Sequence, residues 1–145
     1  MSKRLASWIA MAAIVGSVAC SGARNRRQQL QDAVTSYSTA IRWGHIQKAS
    51  RYVPDKQRTE FVARKRRAYQ RMKVLEVDLR SVHLGSRQER ARVLLSMRFT
   101  VAGSPVIQQH VIEQFWRFGR GGWEVIKTRR AKLPKPRPAQ PGDLY

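Results

Sequence analysis

The side chains that could perform chemistry are few in this sequence. Its 145 residues include one cysteine, three histidines and nine acidic residues. The histidines, His45, His83 and His110, have no cysteine or carboxylate at metal-ligand spacing, so we expect neither a metal site nor a cofactor. The scarcity of acid, base and nucleophile favours a binding role over catalysis.

Paired carboxylates, a common source of acid–base catalysis, are also hard to build here. Glu76 and Asp78 alternate along one predicted strand and therefore share a face. Their expected neighbours are Arg98 and Arg80, however, which indicates cross-strand ion pairs worth at most about 1 kcal/mol. We assign no catalytic residue from the sequence.

Cys20 is the only cysteine, and the residues before it have the organisation of a secretory signal. A short basic start is followed by an apolar stretch from Trp8 to Val18 and by the small residue Ala19. The apolar stretch is shorter than the roughly 20 residues that a membrane-spanning helix needs. Residues 1–19 are therefore predicted to be a cleaved signal peptide.

Ser17-Val18-Ala19-Cys20 resembles the lipobox of bacterial lipoproteins, in which the cysteine receives a diacylglycerol and the chain is cut just before it. The lipobox usually has leucine where this chain has Ser17, and the same residues would also suit an ordinary signal peptidase that releases a free protein. A lone thiol is a liability in an oxidising compartment, which favours lipidation of Cys20. Ser21 after the cysteine implies sorting to the outer membrane, facing the periplasm.

Basic residues dominate the charge of the chain, with 29 basic against 9 acidic residues and a formal net charge of +20. Such a balance is typical of nucleic-acid-binding proteins, but an exported protein meets little nucleic acid, so we expect none as a partner. Anionic lipids and acidic polymers attract basic surfaces in the same salt-dependent way, and Arg24, Arg26 and Arg27 are expected beside the membrane. The alternative is that the positive charge serves no binding role, because a GC-rich genome produces many arginines without selection for binding.

Three helices are predicted before the chain changes to strands. Residues 20–27 are predicted to be the lipidated cysteine and a tether. From Gln28 to Trp43 apolar residues recur at helical spacing, and Gly44 is a suitable stop. A short helical segment over 45–52 precedes a third helix over about 56–71. The third helix carries a basic run, predicted to be either solvated or a surface for an anionic partner, that consists of Arg64, Lys65, Arg66, Arg67 and Arg71.

After Met72 the apolar period changes from 3.6 to 2, which predicts antiparallel strands. The first two strands are predicted to form a hairpin that turns at 85–89. A single register places apolar residues on one face and polar residues on the other, which strengthens the prediction. That register pairs Leu79 with Leu95, Val77 with Met97, Leu75 with Phe99, Leu84 with Arg90, and Glu76 with Arg98.

Two further strands, over 106–118 and 123–128, complete the predicted sheet. The glycine-rich segment Gly119–Gly122 joins them. Because no helix follows this segment, it lacks the helix N-terminus of a phosphate loop and is predicted to be a tight turn. Four prolines punctuate the basic segment 131–145, which is predicted to be a disordered tail.

Helices followed by an antiparallel meander predict an α+β fold over residues 28–130, with the helices packed on one face of a curved sheet. The final hairpin places Trp116-Arg117-Phe118 before the glycine-rich turn and Trp123-Glu124-Val125-Ile126 after it. This hairpin and the three preceding helices resemble the nuclear transport factor two-like superfamily, or cystatin-like α+β roll. The resemblance covers about residues 28 to 128 and implies no activity, because the superfamily contains enzymes as well as non-catalytic binding domains.

The third strand mixes apolar and polar residues on both faces, with His110 on one face and Glu113 on the other. In an α+β roll one sheet face lines a cavity beneath the helices, so His110 or Glu113 is expected beside Tyr37 and Tyr69 in a candidate pocket. The other face is then an apolar patch for a protein partner or a second copy. The alternative is that the pocket only completes the core.

These features predict a lipid-anchored envelope protein whose domain is a non-catalytic binding or assembly module. The alternative is a small periplasmic enzyme that uses the cavity under the helices, with Glu113 or His110 as acid or base. A closed apolar cavity would favour the module. An open cleft with a carboxylate beside histidine or tyrosine would favour the enzyme.

Overall fold

A computed structural model describes residues 21–131 of the chain. Three helices precede four strands, and the strands form one antiparallel sheet in the order β1-β2-β3-β4. The elements are α1 (Ser21–Arg42), α2 (Ile46–Ser50), α3 (Asp55–Tyr69), β1 (Met72–Leu84), β2 (Arg90–Val101), β3 (Gln108–Gly119) and β4 (Gly122–Arg130). The predicted α+β fold is confirmed. Cys20, the signal segment and the predicted tail from residue 132 onward lie outside the described residues.

The apolar stripe of α1 packs this helix onto the sheet. Each predicted position of the stripe is buried, namely Leu30, Ala33, Val34, Tyr37, Ala40 and Ile41. The helix stops where predicted, because Gly44 adopts a left-handed φ of +69° and the His45 N–H donates to the Ala40 carbonyl at 2.8 Å. Within the described residues, none of the helices combines the length and apolar character that crossing a membrane requires.

α1 begins earlier than predicted, at Ser21 rather than Gln28, so residues expected to form a tether form its first turns. Arg26 lies against the end of the sheet, with its guanidinium carbon 4.9 Å from the centroid of the Phe118 ring. The Arg26 carbonyl accepts a 3.1 Å hydrogen bond from Trp123 Nε1. Arg26 thus contacts the β3–β4 hairpin of its own chain, and its expected place beside the membrane stays a prediction.

The β1–β2 hairpin has the predicted register in its centre only. Residues Leu75 and Arg80 of β1 are left unpaired by bulges, and each bulge shifts the register by one residue. Val74 therefore lies opposite Phe99 in place of Leu75, and Leu84 lies opposite Ala91 rather than Arg90. The predicted pairs that are present are Leu79 with Leu95, Val77 with Met97, and Glu76 with Arg98.

β3 is the strand whose orientation the sequence left open, and its register with β2 decides it. We name the side of the sheet that packs against the helices the inner face and the opposite side the outer face. Trp116 lies opposite Ala91 on the inner face, and His110 lies on the same side, opposite Met97. Glu113 lies opposite Leu94 on the outer face. Gly119 pairs with Gly122 across the predicted tight turn.

The core lies between α1 and the inner face, around the indole of Trp116, which is 1% exposed. Its ring meets that of Tyr37 edge-on, with 5.6 Å between centroids, and that of Tyr52 at 6.3 Å. Edge-to-face pairs of this kind contribute about 0.5–1.5 kcal/mol beyond the burial of their area. The helices and sheet are therefore joined by an aromatic cluster in the position where the superfamily resemblance implies a cavity.

Candidate functional site

The structure does not bring the four residues of the predicted pocket together. Tyr37 is a core residue, and burial, with a smaller contribution from Tyr69, raises the pKa of its hydroxyl above the usual range. The Tyr69 hydroxyl donates a hydrogen bond to the Ile41 carbonyl, and burial raises its pKa to about 12. Both tyrosines are therefore protonated at neutral pH, and Tyr69 ties α3 to the end of α1.

His110 and Glu113 point to opposite faces of the sheet, so the two predicted acid–base candidates do not share a site. The His110 ring packs edge-on against Phe99, with 4.8 Å between the ring centroids. Burial lowers the pKa of His110, and the Arg130 guanidinium lowers it further. His110 therefore packs at the edge of the core. Of the two alternatives for the inner pocket, His110 is the residue on the inner face, and Glu113 lies on the outer face.

The space that remains between α1 and the sheet is a cavity of about 30 Å³. That volume is close to the share of a single water molecule, which is too small for a substrate. Among the described residues, no carboxylate lines it. The lining consists of Tyr37, Ser38, Ile41, Lys65, Val77, Leu95, Met97, Ile112, Gln114 and Thr128.

Glu113 instead forms an ion cluster on the outer face with Arg92 of β2 and Arg129 of β4; we name these three residues the Glu113 cluster. The side chain of Glu113 is 5% exposed, and Arg92 Nε lies 2.6 Å from its Oε1. Arg129 Nε donates to the other oxygen, Oε2. The hydrogen bond from Arg129 and the charges of both arginines hold the pKa of Glu113 below its ordinary value, against the opposing effect of burial.

The Glu113 cluster is surrounded by apolar side chains that are only partly covered. The guanidinium carbon of Arg129 lies 5.2 Å from the centroid of the Phe115 ring. Leu94 and Val111 are half-buried on the same face. The outer face is thus a mixture of apolar groups and paired charges, rather than the apolar patch expected.

Further ion pairs cross the outer face on either side of the cluster. The predicted pair is present, with Arg98 NH1 2.8 Å from Glu76 Oε2. Arg117 and Glu124 lie 3.4 Å apart between β3 and β4. These pairs join neighbouring strands through partly exposed side chains, so each is worth at most about 1 kcal/mol.

The residues of the basic run of α3 differ in their exposure. Arg64, Arg66 and Arg67 are exposed, whereas Lys65 is half-buried, because it lies four residues after Phe61 on the stripe that faces the core. Burial lowers the pKa of Lys65, and Arg64 lowers it further. Arg71 lies beyond the end of the helix. The anionic-partner surface stays a prediction, and among its five residues Lys65 is the half-buried one.

Lys65 instead faces a groove of about 440 Å³ between α3 and the edge strand β4, which we name the α3–β4 groove. Its Nζ lies 5.8 Å from the centroid of the Phe61 ring. The groove is lined by Tyr37, Val53, Gln57, Glu60, Phe61, Arg64, Lys65 and residues 125–128. Within residues 21–131, no group of three or more histidine, cysteine, aspartate or glutamate side chains is placed to hold a metal ion.

Sequence reasoning missed both the Glu113 cluster and the α3–β4 groove. A signal for the groove was present, since Phe61, Lys65 and Tyr69 are spaced four residues apart and so share one helix face. The Glu113 cluster had no such signal. It depends on a bulge in β4 that leaves Ile126 unpaired and thereby places Arg129 opposite Glu113.

No known family matches the sequence, and no curated protein is significantly similar to it. Solved structures are similar in fold. A domain of unknown function with a cystatin-like fold from Nostoc punctiforme matches with a TM-score of 0.60 and 14% identity, over 77% of this chain and 80% of that chain. A ketosteroid isomerase-like protein from Erwinia carotovora atroseptica matches with a TM-score of 0.59 and 13% identity, over 73% of this chain and 96% of that one.

An LEH-like epoxide hydrolase from M. tuberculosis matches with a TM-score of 0.56 and 12% identity, over 71% of this chain and 81% of that chain. These neighbours include enzymes and domains of unknown function, so the likeness concerns the fold alone. The helices, the sheet order and the neighbours together show that the chain adopts the cystatin-like α+β fold.

Proposed function

We propose that this chain is a lipid-anchored protein of the bacterial envelope, in which the α+β domain is a non-catalytic binding module. The anchor is Cys20, and Ser21 directs the protein to the outer membrane with its domain in the periplasm. The support for the anchor is the order of basic start, apolar stretch, small residue and single cysteine at the N-terminus.

The observation that carries the binding-module proposal is the filled space between α1 and the sheet. Trp116 and Tyr37 occupy it, and the remaining cavity of about 30 Å³ has no carboxylate in its described lining. A small substrate needs a pocket of roughly 300 Å³ or more.

The alternative is a periplasmic enzyme with Glu113 or His110 as acid or base. Because these two residues lie on opposite faces of the sheet, they cannot act together in one site. The larger α3–β4 groove has one carboxylate in its described lining, Glu60, and that carboxylate pairs with Arg64.

The surface proposed for the partner is the outer face around the Glu113 cluster. Phe115, Leu94 and Val111 supply apolar area, and the ion pairs hold Arg92 and Arg129 in fixed positions. Aromatic residues and arginine are enriched at protein interfaces, and a preorganised side chain loses little entropy on binding. The partner is a protein, and a second copy of this chain is the simplest occupant to test.

The anchor is tested by labelling cells that express the chain with a fatty-acid probe. We expect the wild-type chain to carry the label and to be recovered with outer membranes. The Cys20→Ser variant should lose the label and be released from the membrane. A Cys20→Ser variant that remains membrane-bound would contradict the anchor.

The binding surface is tested by capture of partners from solubilised envelopes, together with sedimentation analysis of the purified chain. Phe115→Ala should reduce capture or self-association by about tenfold or more, as expected for an aromatic residue central to an interface. Val106→Ala is the matched control, because Val106 is 62% exposed and precedes β3. Equal effects of the two variants would remove the support for the outer face as the partner-binding surface.

A further inference from the structure

The α3–β4 groove is a second surface, on the helix side of the sheet, and it combines an apolar floor with a cationic wall. Phe61 and Val53 are buried beneath it, with Val125 of β4 on the opposite side. Its volume of about 440 Å³ lies within the range of small-molecule sites. The internal cavity of about 30 Å³ lacks such room.

Lys127, on the β4 side of the groove, is exposed, whereas Lys65 is partly buried and lacks a counterion. Among the described residues, no carboxylate lies within ion-pair distance of the Lys65 ammonium group. Glu60, the acidic residue on the same wall, is 3.4 Å from Arg64 and pairs with that residue instead. A partly buried cation without a counterion is unfavourable, and its desolvation is offset when an anion binds beside it.

Lys65 faces the groove because of the helix face on which it lies. Phe61 and Lys65 are separated by one helical turn and share a helix face, and the Lys65 ammonium lies 5.8 Å from the Phe61 ring centroid. Gln57, one turn earlier on the same wall, adds an exposed amide that can donate a hydrogen bond.

We infer that the α3–β4 groove binds a small amphipathic carboxylate, with its apolar body on Phe61 and Val53 and its carboxylate on the Lys65 ammonium. This site goes beyond the proposed function, because it lies across the sheet from the outer face. The two sites can therefore be right or wrong independently. An open groove with one strong charge contact predicts a modest dissociation constant, on the order of 1 mM for a ligand of about 12 heavy atoms.

The inference is tested with two ligands that share one skeleton, 4-phenylbutyrate and the neutral 4-phenylbutanol. Each is titrated into the isotopically labelled full chain, and amide shifts are followed by NMR. We expect the carboxylate to bind about tenfold more tightly than the alcohol and to shift the amides of Phe61, Lys65 and Thr128. Equal affinity of the two ligands, absence of binding, or shifts confined to the outer face would overturn the inference.

The role of Lys65 is tested by substitutions that separate charge from packing. Lys65→Met keeps the apolar stem and should abolish the preference for the carboxylate, whereas Lys65→Arg should retain it. Arg67→Met removes one charge from an exposed position outside the groove. It should change the affinity for neither the carboxylate nor the alcohol. A preference that persists in Lys65→Met, or that Arg67→Met removes equally, would contradict the assignment.

Discussion

The two faces of β3 bury their side chains by different means. On the inner face, Trp116 is covered by the helices and by the rings of Tyr37 and Tyr52. On the outer face none of the helices within residues 21–131 covers the strand, yet the Glu113 side chain is 5% exposed, because Arg92 and Arg129 lie across it. The same strand thus contributes an apolar core on one side and a shielded ion cluster on the other.

This difference has consequences for stability and for binding. Apolar burial on the inner face involves no titrating carboxylate, whereas the Glu113 cluster requires an ionised one. The stability that the Glu113 cluster contributes therefore depends on pH. The outer face holds its arginines in position, which suits a surface that meets a partner.

The largest effect is expected at the centre of the inner face. Trp116→Ala should lower the free energy of unfolding by about 3–5 kcal/mol, because it leaves a cavity among the aromatic rings and removes the donor to Gln114 Oε1. Urea unfolding of the two proteins measures this. Trp43→Ala is the control, since Trp43 is 65% exposed and its loss should change stability by less than about 0.5 kcal/mol.

A smaller, pH-dependent effect is expected on the outer face. The folded pKa of Glu113 lies below its ordinary value of 4.5, so the stability from its ionised form is present above pH 4.5 and is lost as the pH falls through the folded pKa. Glu113→Gln should therefore be less stable than wild type at pH 7, and the difference should shrink in acid.

Thermal unfolding at several pH values measures the contribution of Glu113. Glu76→Gln is the matched control, because the Glu76–Arg98 pair is more exposed and should contribute little at any pH. A Glu113→Gln difference that stays constant between neutral and acidic pH would contradict an ionised cluster.

A local effect is expected where α1 meets the β3–β4 hairpin. Trp123→Phe removes the hydrogen bond from the indole to the Arg26 carbonyl and should cost about 1 kcal/mol. The amides of the first turns of α1 should then exchange hydrogen faster than in wild type, while those near Gly44 are unchanged. Trp43→Phe serves as the control. An increase in the exchange rate that is equal along the whole of α1 would contradict the Trp123–Arg26 contact.

The smallest effect on stability is expected on the exposed side of α3. Reversing Arg66 and Arg67 to glutamate should change the free energy of unfolding by about 0.5 kcal/mol or less, because both residues are exposed. The same change should weaken binding to anionic vesicles at low salt, if these arginines meet a membrane or an acidic polymer. Vesicle binding that is independent of salt and survives the reversal would contradict an electrostatic role for these arginines.

Several elements were predictable from local pattern alone. The apolar spacing of α1 identifies the six residues that are buried, and Gly44 marks its end. Alternation along β1 and β2 predicts the central pairs of their hairpin, including Glu76 with Arg98. These predictions succeed because they depend on contacts within one helix or between neighbouring strands of one hairpin.

The sequence by itself determined the α+β class, the helix stripe of α1, the tight turn at Gly119–Gly122 and the excess of positive charge. Tertiary structure alone decided which face of β3 meets the helices, and therefore that His110 and Glu113 are apart. It also decided the partners of Glu113, because the one-residue bulge at Ile126 moves Arg129 from the inner to the outer face. The physical reason is that side chains alternate along a strand with a period of two, so a single unpaired residue reverses every assignment beyond it.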